Sequence, residues 1–423
     1  MNDLANWDWD PGKRLVADLD SWKRTYSWIE EPCASPDGEK IAAVVRTEEE
    51  LFTVCVNGTP WDKGFDRVWY LRFAPDNRLT GLVSDSGEWT VAVDAESWEN
   101  GFEFVWNTQF SQDGNNIVAS AVHSEKRYLV LHNGHAWENG FFSMSQVALS
   151  PDGRNVAAVV QTVPLKEKEI AKFQQGCFSV AVNGALWERN FVNVWEPAFS
   201  HDNNHVAVSV RTSLYDHTIV VDGEPWPKMF SSVWAPKFSP ADGSITAPVR
   251  IGGKWFLARN GEAFWNKGFV QLWNHQYAPD GARIAALVAP KFGRWTVAID
   301  GQPWKNTFGD LVTDAVFSPD GRSVACVGKN SGNWRICVDD KVWDGAYDMA
   351  WAPVFSPDGA HVAAKVEKGG QYFIVVDGAA LPEPFKSLWD PAFSPDSKKI
   401  MVRGTGTGDD TNKYYRTVLT IAQ

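Results

Sequence analysis

Apolar residues recur along this chain in short runs cut off by turn residues. Runs such as Ile41-Ala-Ala-Val-Val45, Val156-Ala-Ala-Val-Val160 and Ile284-Ala-Ala-Leu-Val288 are apolar without interruption. That pattern predicts short strands covered on both faces. Each run follows a turn phrase of the type Ser-Pro-Asp-Gly, in which Pro presets φ, Asp caps its own backbone and Gly takes positive φ. A second run follows and often opens on an aromatic, as in Trp89-Thr-Val-Ala-Val93, Trp295-Thr-Val-Ala-Ile299 and Tyr372-Phe-Ile-Val-Val376. Then comes Asn-Gly or Asp-Gly (Asn57-Gly58, Asn183-Gly184, Asp222-Gly223, Asp300-Gly301 and others), the pair that suits a two-residue hairpin.

An aromatic ladder with a spacing of four closes each unit. It reads Trp61, Phe65, Trp69, Phe73; Trp98, Phe102, Trp106, Phe110; and Trp187, Phe191, Trp195, Phe199. It returns as Trp226, Phe230, Trp234, Phe238; Trp265, Phe269, Trp273, Tyr277; and Trp343, Tyr347, Trp351, Phe355. The turn phrase occurs ten times, from Ala34-Ser-Pro-Asp-Gly38 to Phe393-Ser-Pro-Asp-Ser397, at intervals of 39, 37, 39, 50, 39, 39, 40, 38 and 38 residues. Four short strands at a period near 39 predict a propeller blade. A lone four-stranded sheet cannot bury both faces, whereas stacked sheets cover one another. The expected fold is therefore all-β, a β-propeller of about ten four-stranded blades in one closed ring. Two smaller propellers in tandem are the alternative.

The last unit stops after Tyr414-Tyr-Arg-Thr-Val-Leu-Thr-Ile421, before an outer strand and ladder. Trp22 precedes Ala34 by the same twelve residues that separate Trp61 from Phe73. A segment of about 13–33 is thus expected to complete the last blade, within one domain spanning 1–423. The 50-residue interval carries an insertion at 163–176. Leu165, Ile170 and Phe173 fall on one side of a short helix there, opposite Lys166, Glu167, Lys168 and Glu169, and form a candidate partner-docking site.

Composition sharpens the picture. The chain holds 23 Trp, and its formal charge is −12. Once per blade, a large flat side chain fills the wedge between twisted sheets, so the ladder Trp are expected to be structural. The acidic balance argues against nucleic acid as a partner. No apolar stretch approaches a membrane span, so direct insertion into a membrane is not expected. Met1 to Asp10 lacks a basic start and apolar run, so a cytoplasmic protein is expected. Cys33, Cys55, Cys177, Cys326 and Cys337 form no C-x-x-C pair and read as buried, reduced thiols.

Catalytic signatures are missing from the sequence. There is no G-x-S-x-G elbow, no Walker A and no dinucleotide-binding glycine pattern. Gly404-Thr-Gly-Thr-Gly408 lacks the Lys-Ser/Thr that a phosphate loop needs. The His132/His135 and His201/His205 pairs have no third ligand in sequence, so no metal is assigned. No catalytic residue and no cofactor are expected.

The phrase Trp351-Ala-Pro-Val-Phe-Ser-Pro-Asp-Gly359 resembles the WD40-like/TolB-type propeller repeat over nearly the whole chain. That resemblance speaks to fold and leaves function open. The Trp-rich, uniformly repeated chain also resembles the TmcD family, the tryptophan-rich subunit of the Tmc transmembrane electron-transfer complex of sulfate-reducing bacteria. The resemblance implies a non-catalytic, cofactor-free scaffold on the cytoplasmic side of the inner membrane. The implied partners are a multihaem cytochrome c, a cytochrome-b-like membrane subunit and an iron–sulfur subunit. Two other classes stand beside it: a ligand- or glycan-binding propeller that stacks sugars on exposed Trp, and a propeller enzyme using a central channel.

Overall fold

A computed structural model describes residues 4–47, 50–123 and 125–421. It is an all-β, ten-bladed propeller of antiparallel sheets: eight have four strands in chain order, two have the first strand split in two, and one of those takes its outer strand from the N-terminus. We number the blades 1 to 10 along the chain: 29–60, 67–97, 104–136, 143–186, 193–225, 237–263, 271–303, 311–342, 349–380, and 387–420 with 12–18. The chain divides into two compact units. A terminal unit comprises 1–115, 333–336 and 343–423, and a central unit comprises 116–332 and 337–342. Blades 1, 2, 9 and 10 lie wholly in the terminal unit, and blades 4 to 7 wholly in the central one.

Within a blade, local chemistry sets each strand. The second strand is the blade's dry centre: Ile41 to Val45 are fully buried, as are Val156 to Ala158 and Val160. The turn before it is organised by a buried serine. The hydroxyl of Ser318 donates to Asp320 Oδ1 and accepts from Ser323 N at 2.9 Å, while Asp320 Oδ1 accepts from Arg322 N at 3.0 Å. The serine bond comes first in holding the Asp320 carboxyl below its ordinary range, and the same holds for Asp113, Asp152, Asp358 and Asp396. The hairpin Asn or Asp sits at positive φ (49° at Asn57, 48° at Asp222), and its carboxamide or carboxylate oxygen accepts from the first amide of the second strand. These bonds include Ile41 N to Asn57 Oδ1 at 2.9 Å and Val206 N to Asp222 Oδ1 at 2.9 Å.

The glycine of that hairpin has a second role. In blade after blade it lies beneath the ladder Trp that closes the preceding blade. A Cβ built on Gly184, Gly223, Gly261, Gly301 and Gly378 would meet Trp137, Trp187, Trp226, Trp265 and Trp343 at 3.3–3.8 Å. A methyl would just touch the ring, and a larger side chain would displace it. The second ladder position is tied too. Phe65 pairs by an isolated β-bridge with Phe52, Phe191 with Phe178, Phe269 with Trp255 and Tyr347 with Trp334.

The first strand of most blades carries a β-bulge just after the third ladder position, as between Trp69 and Arg72 and between Trp273 and Gln276. In blades 9 and 10 the sequences Trp351-Ala-Pro353 and Trp389-Asp-Pro391 split this strand in two. Proline has no amide to give to the ladder.

The N-terminal segment differs in detail from the segment expected at 13–33. The strand Gly12–Asp18 pairs with Lys413–Thr420 as the outer strand of blade 10. Residues Leu19–Thr25 then form a helix, capped by Asp18, and Ile29–Ala34 is already the first strand of blade 1. The repeat does not announce this helix, because its apolar contacts are made by only Leu19 and Trp22. Trp22 still takes the ladder place: its Nε1 lies 3.5 Å from a Cβ on Gly58, the blade 1 hairpin glycine. Blade 10 also clamps blade 1 through arginine. The buried Arg403 guanidinium donates to Pro36 O and Asp390 O, and Arg416 Nε donates to Asp37 O at 2.8 Å.

The seated indoles predict a graded response. Trp265, 4% exposed, should cost about 3–5 kcal/mol when changed to Ala. Trp28, 51% exposed, should cost under about 1 kcal/mol. Urea denaturation midpoints of the two variants measure the difference.

Candidate functional site: aromatic clefts on the blades

The twelve predicted ladder tryptophans fall into two sets. Trp61, Trp98, Trp187, Trp226, Trp265 and Trp343 follow outer strands; Trp226 and Trp265 are buried, and the other four are half-buried. Trp69, Trp106, Trp195, Trp234, Trp273 and Trp351 lie on or beside first strands, and three of them are open to solvent: Trp69 at 41%, Trp195 at 37% and Trp234 at 44%. A purely packing role does not describe these three.

The difference has a geometric cause. The third ladder position lies near the end of the blade where the second and third strands turn back. Its indole meets the aromatic that opens the third strand. The pair recurs as Trp69–Trp89 (5.8 Å between ring centroids), Trp195–His217 (6.5 Å), Trp234–Trp255 (5.5 Å, 16° between planes), Trp273–Trp295 (5.2 Å) and Trp351–Tyr372 (5.7 Å). Trp106 stacks on Phe104 at 6.1 Å. A four-residue spacing announces an aromatic here, but not which face of it stays wet.

Two such pairs open into clefts. In the terminal unit, Trp69, Trp89, Phe104 and Phe52 line about 550 Å³, with Glu30, Asp66 and Arg67 as polar neighbours. In the central unit, Trp195, Trp234 and His217 line about 200 Å³ with Gln146, Glu196, Ser209 and Ser232. Gln146 Oε1 accepts from Glu196 N at 2.5 Å, which ties blade 4 to blade 5 at this cleft. Burial raises the Glu196 pKa, against the Ser209 hydroxyl beside it. Burial first, and then Arg211, lowers that of His217, so its ring is neutral at pH 7. His217 Nδ1 and Arg211 Nε are buried without a hydrogen-bond partner among the described residues. Flat indole faces, a neutral imidazole and a carboxyl edge suit stacking on a ring while bonding its polar rim.

The insertion reaches this neighbourhood. Of the expected helix, only Ile170–Gln174 forms; Leu165 precedes it, and Lys172 Nζ donates to Pro164 O at 2.7 Å. Ile170 is 67% exposed, and the Phe173 ring lies 5.8 Å from the Arg211 guanidinium on blade 5. Leu165, Ile170 and Phe173 therefore do not share one helix face. Five residues make little more than one turn, and no side chain caps the N-terminus.

Other titratable groups serve the fold. His205 Nδ1 and His361 Nδ1 bond the hairpin carboxylates Asp222 (2.6 Å) and Asp377 (2.7 Å). His275 is fully buried, 2.9 Å from Thr246 Oγ1, and its pKa falls to about 3 through burial and then Lys237. The five cysteines are free, and burial pushes Cys33 up to about 12. Among the described residues no group of three or more His, Cys, Asp and Glu is placed to hold a metal ion. No described helix is long and apolar enough to cross a membrane.

No family model matches the chain, and no curated protein matches it in sequence. Among solved structures, it is similar to a eukaryotic initiation factor, with TM-score 0.47 and 13% identity over 76% of this chain and 88% of that one. It is also similar to TolB from Acinetobacter baumannii, with TM-score 0.31 and 13% identity over 74% and 79%. The Cps50 (Swd1) β-propeller domain of Myceliophteria thermophila follows, with TM-score 0.30 and 10% identity over 66% and 98%. At these scores the likenesses carry no functional information.

The open indoles should dominate collisional quenching. Changing Trp28, Trp69, Trp195 and Trp234 together to Phe should lower the Stern–Volmer constant for acrylamide more than changing the buried Trp22, Trp226, Trp255 and Trp265 does.

Proposed function

We propose that this protein is a non-catalytic interaction scaffold: a cytoplasmic-side, cofactor-free subunit of a membrane-associated electron-transfer complex. The observation that carries the scaffold reading is the recurring aromatic pair at the hairpin end of the blades, with Trp69, Trp195 and Trp234 left more than a third exposed. Exposed, rigid aromatics beside polar side chains are the usual anchors of protein interfaces. The redox assignment rests on the resemblance of the Trp-rich repeat to the TmcD family. The proposed partners are accordingly a multihaem cytochrome c, a cytochrome-b-like membrane subunit and an iron–sulfur subunit, through which the electrons pass. This chain orders them and carries no redox centre itself.

A second reading has its own support. The Trp195–His217–Trp234 cleft pairs two indole faces with Gln146, Glu196 and Ser209, a combination that suits a sugar ring.

Native affinity purification from detergent-solubilised membranes separates the two. The scaffold should co-elute with haem- and iron–sulfur-bearing proteins, and Trp195→Ala/Trp234→Ala should weaken that recovery at least tenfold. Elution alone from both membrane and soluble fractions would reject the redox complex. Protection of those two indoles by neutral oligosaccharides would favour the glycan reading.

A further inference from the structure

The four complete blades of the central unit share one strand order, so their second-to-third strand connections lie at the same end of each sheet. These connections carry apolar side chains in solvent. Phe292 is 94% exposed, Tyr215 76%, Ile170 67%, Leu214 52% and Ile251 38%. A turn of two to five residues has no need of such groups, and polar or small residues are its ordinary occupants. The corresponding turns of the terminal unit are ordinary: Asp85-Ser-Gly-Glu88 in blade 2, Lys368-Gly-Gly-Gln371 in blade 9, and a Gly-Asp-Asp turn at 408–410 in blade 10.

Cations gather on two of these four blades, whereas the connections of blades 4 and 5 also hold Glu167, Glu169 and Asp216. The blade 6 turn reads Arg250-Ile-Gly-Gly-Lys254, and the blade 7 turn reads Lys291-Phe-Gly-Arg294. Neither contains an acidic residue, although the chain as a whole carries −12. All four cations are exposed, and none has an ion-pair partner among the described residues. Elsewhere in the same unit some cations near turns are paired, as Arg189 with Glu224, Lys228 with Glu262 and Arg283 with Asp300, while Lys267 and Lys305 have no ion-pair partner among the described residues.

We infer that the hairpin end of blades 6 and 7 is a docking face for an anionic phospholipid surface, with Phe292 and Ile251 entering the headgroup–acyl boundary and Arg250, Lys254, Lys291 and Arg294 resting on the phosphates. Single apolar side chains at the tips of narrow turns match a soft interface that they can penetrate, and they lack the concave partner a protein groove would need. Lysine and arginine beside them gain from the negative surface potential of such a membrane. Phe292 and Tyr215 could stack on bases, but Ile170, Leu214 and Ile251 are aliphatic and could not, so nucleic acid explains the cations and only part of the tips. The contact is peripheral and involves no spanning segment. It is also independent of the partner proteins proposed above, because it needs only lipid.

Co-sedimentation of the purified full-length protein with protein-free vesicles tests it. Vesicles of phosphatidylglycerol and phosphatidylcholine should bring the protein down, vesicles of phosphatidylcholine alone should not, and added salt should weaken the binding. Ile251→Ser/Phe292→Ser should lower the partition coefficient by about tenfold or more. Lys291→Glu/Arg294→Glu should do so most strongly at low salt. Both pairs are exposed, so the thermal unfolding midpoint should not move, and that control separates lost binding from lost folding. Wild-type protein that stays in the supernatant with anionic vesicles would overturn the inference. So would tip variants that sediment like wild type, or a loss of polynucleotide binding in the variants with no vesicle binding by any form.

Discussion

An indole resting on the next blade's hairpin glycine is the contact that recurs within both units, at Gly58, Gly184, Gly223, Gly261, Gly301 and Gly378. A four-stranded blade satisfies its own hydrogen bonds but leaves both faces apolar, so stability must come from contact between sheets. The first ladder Trp reaches out of its own blade and covers the following hairpin at the position where Gly261 or Gly301 carries no side chain. The hairpin needs glycine for its positive φ, 90° and 80° at those two positions, and the neighbouring ring needs it for space. One residue meets two demands, and that explains why the Asn-Gly or Asp-Gly pair and the Trp four residues beyond it recur together. Blade 10 follows the same logic with a different chain segment, since Trp22 arrives on a helix and still covers Gly58.

Much of this was legible in the sequence, because it is periodic. The ten turn phrases, the dry second strands and the Asx-Gly hairpins all follow from local chemistry that each repeat states in full. What could not be read is what the period does not encode. The helix at Leu19–Thr25 depends on a single capping Asp18 and on the docking of Trp22. The wet faces of Trp69, Trp195 and Trp234 depend on which side chains from other strands pack against each ring, which a residue spacing does not report. The insertion shows the limit most clearly. Its apolar residues fit one helix on paper, but only Ile170–Gln174 turns, and Phe173 finds Arg211 on another blade. The exposed tips are not legible in the repeat for a related reason: a single Phe292 or Tyr215 is ordinary within its own repeat, and the pattern emerges only when the blades are aligned by topology.

The two kinds of aromatic divide the work of the molecule. Seated indoles give stability and leave little freedom for change. Of the third-position indoles, Trp69, Trp195 and Trp234 stay more than a third exposed, while Trp273 packs against a core cluster. Histidines and carboxylates are mostly committed to turns, as with His205 on Asp222 and Asp320 on Ser318. What is left for function is surface: aromatic clefts, an insertion beside one of them, and cationic hairpins with apolar tips.

A double-mutant cycle between Trp265 and Gly301 tests the blade coupling most directly. A Cβ at Gly301 would stand 3.3 Å from the indole, so valine there must collide with it, while the backbone strain of valine at positive φ is common to both backgrounds and cancels. Gly301→Val should therefore destabilise the wild type by at least about 1 kcal/mol more than it destabilises Trp265→Ala. Effects that simply add, to within about 0.5 kcal/mol, would mean that the two residues do not support one another and that the blades are held together by something else.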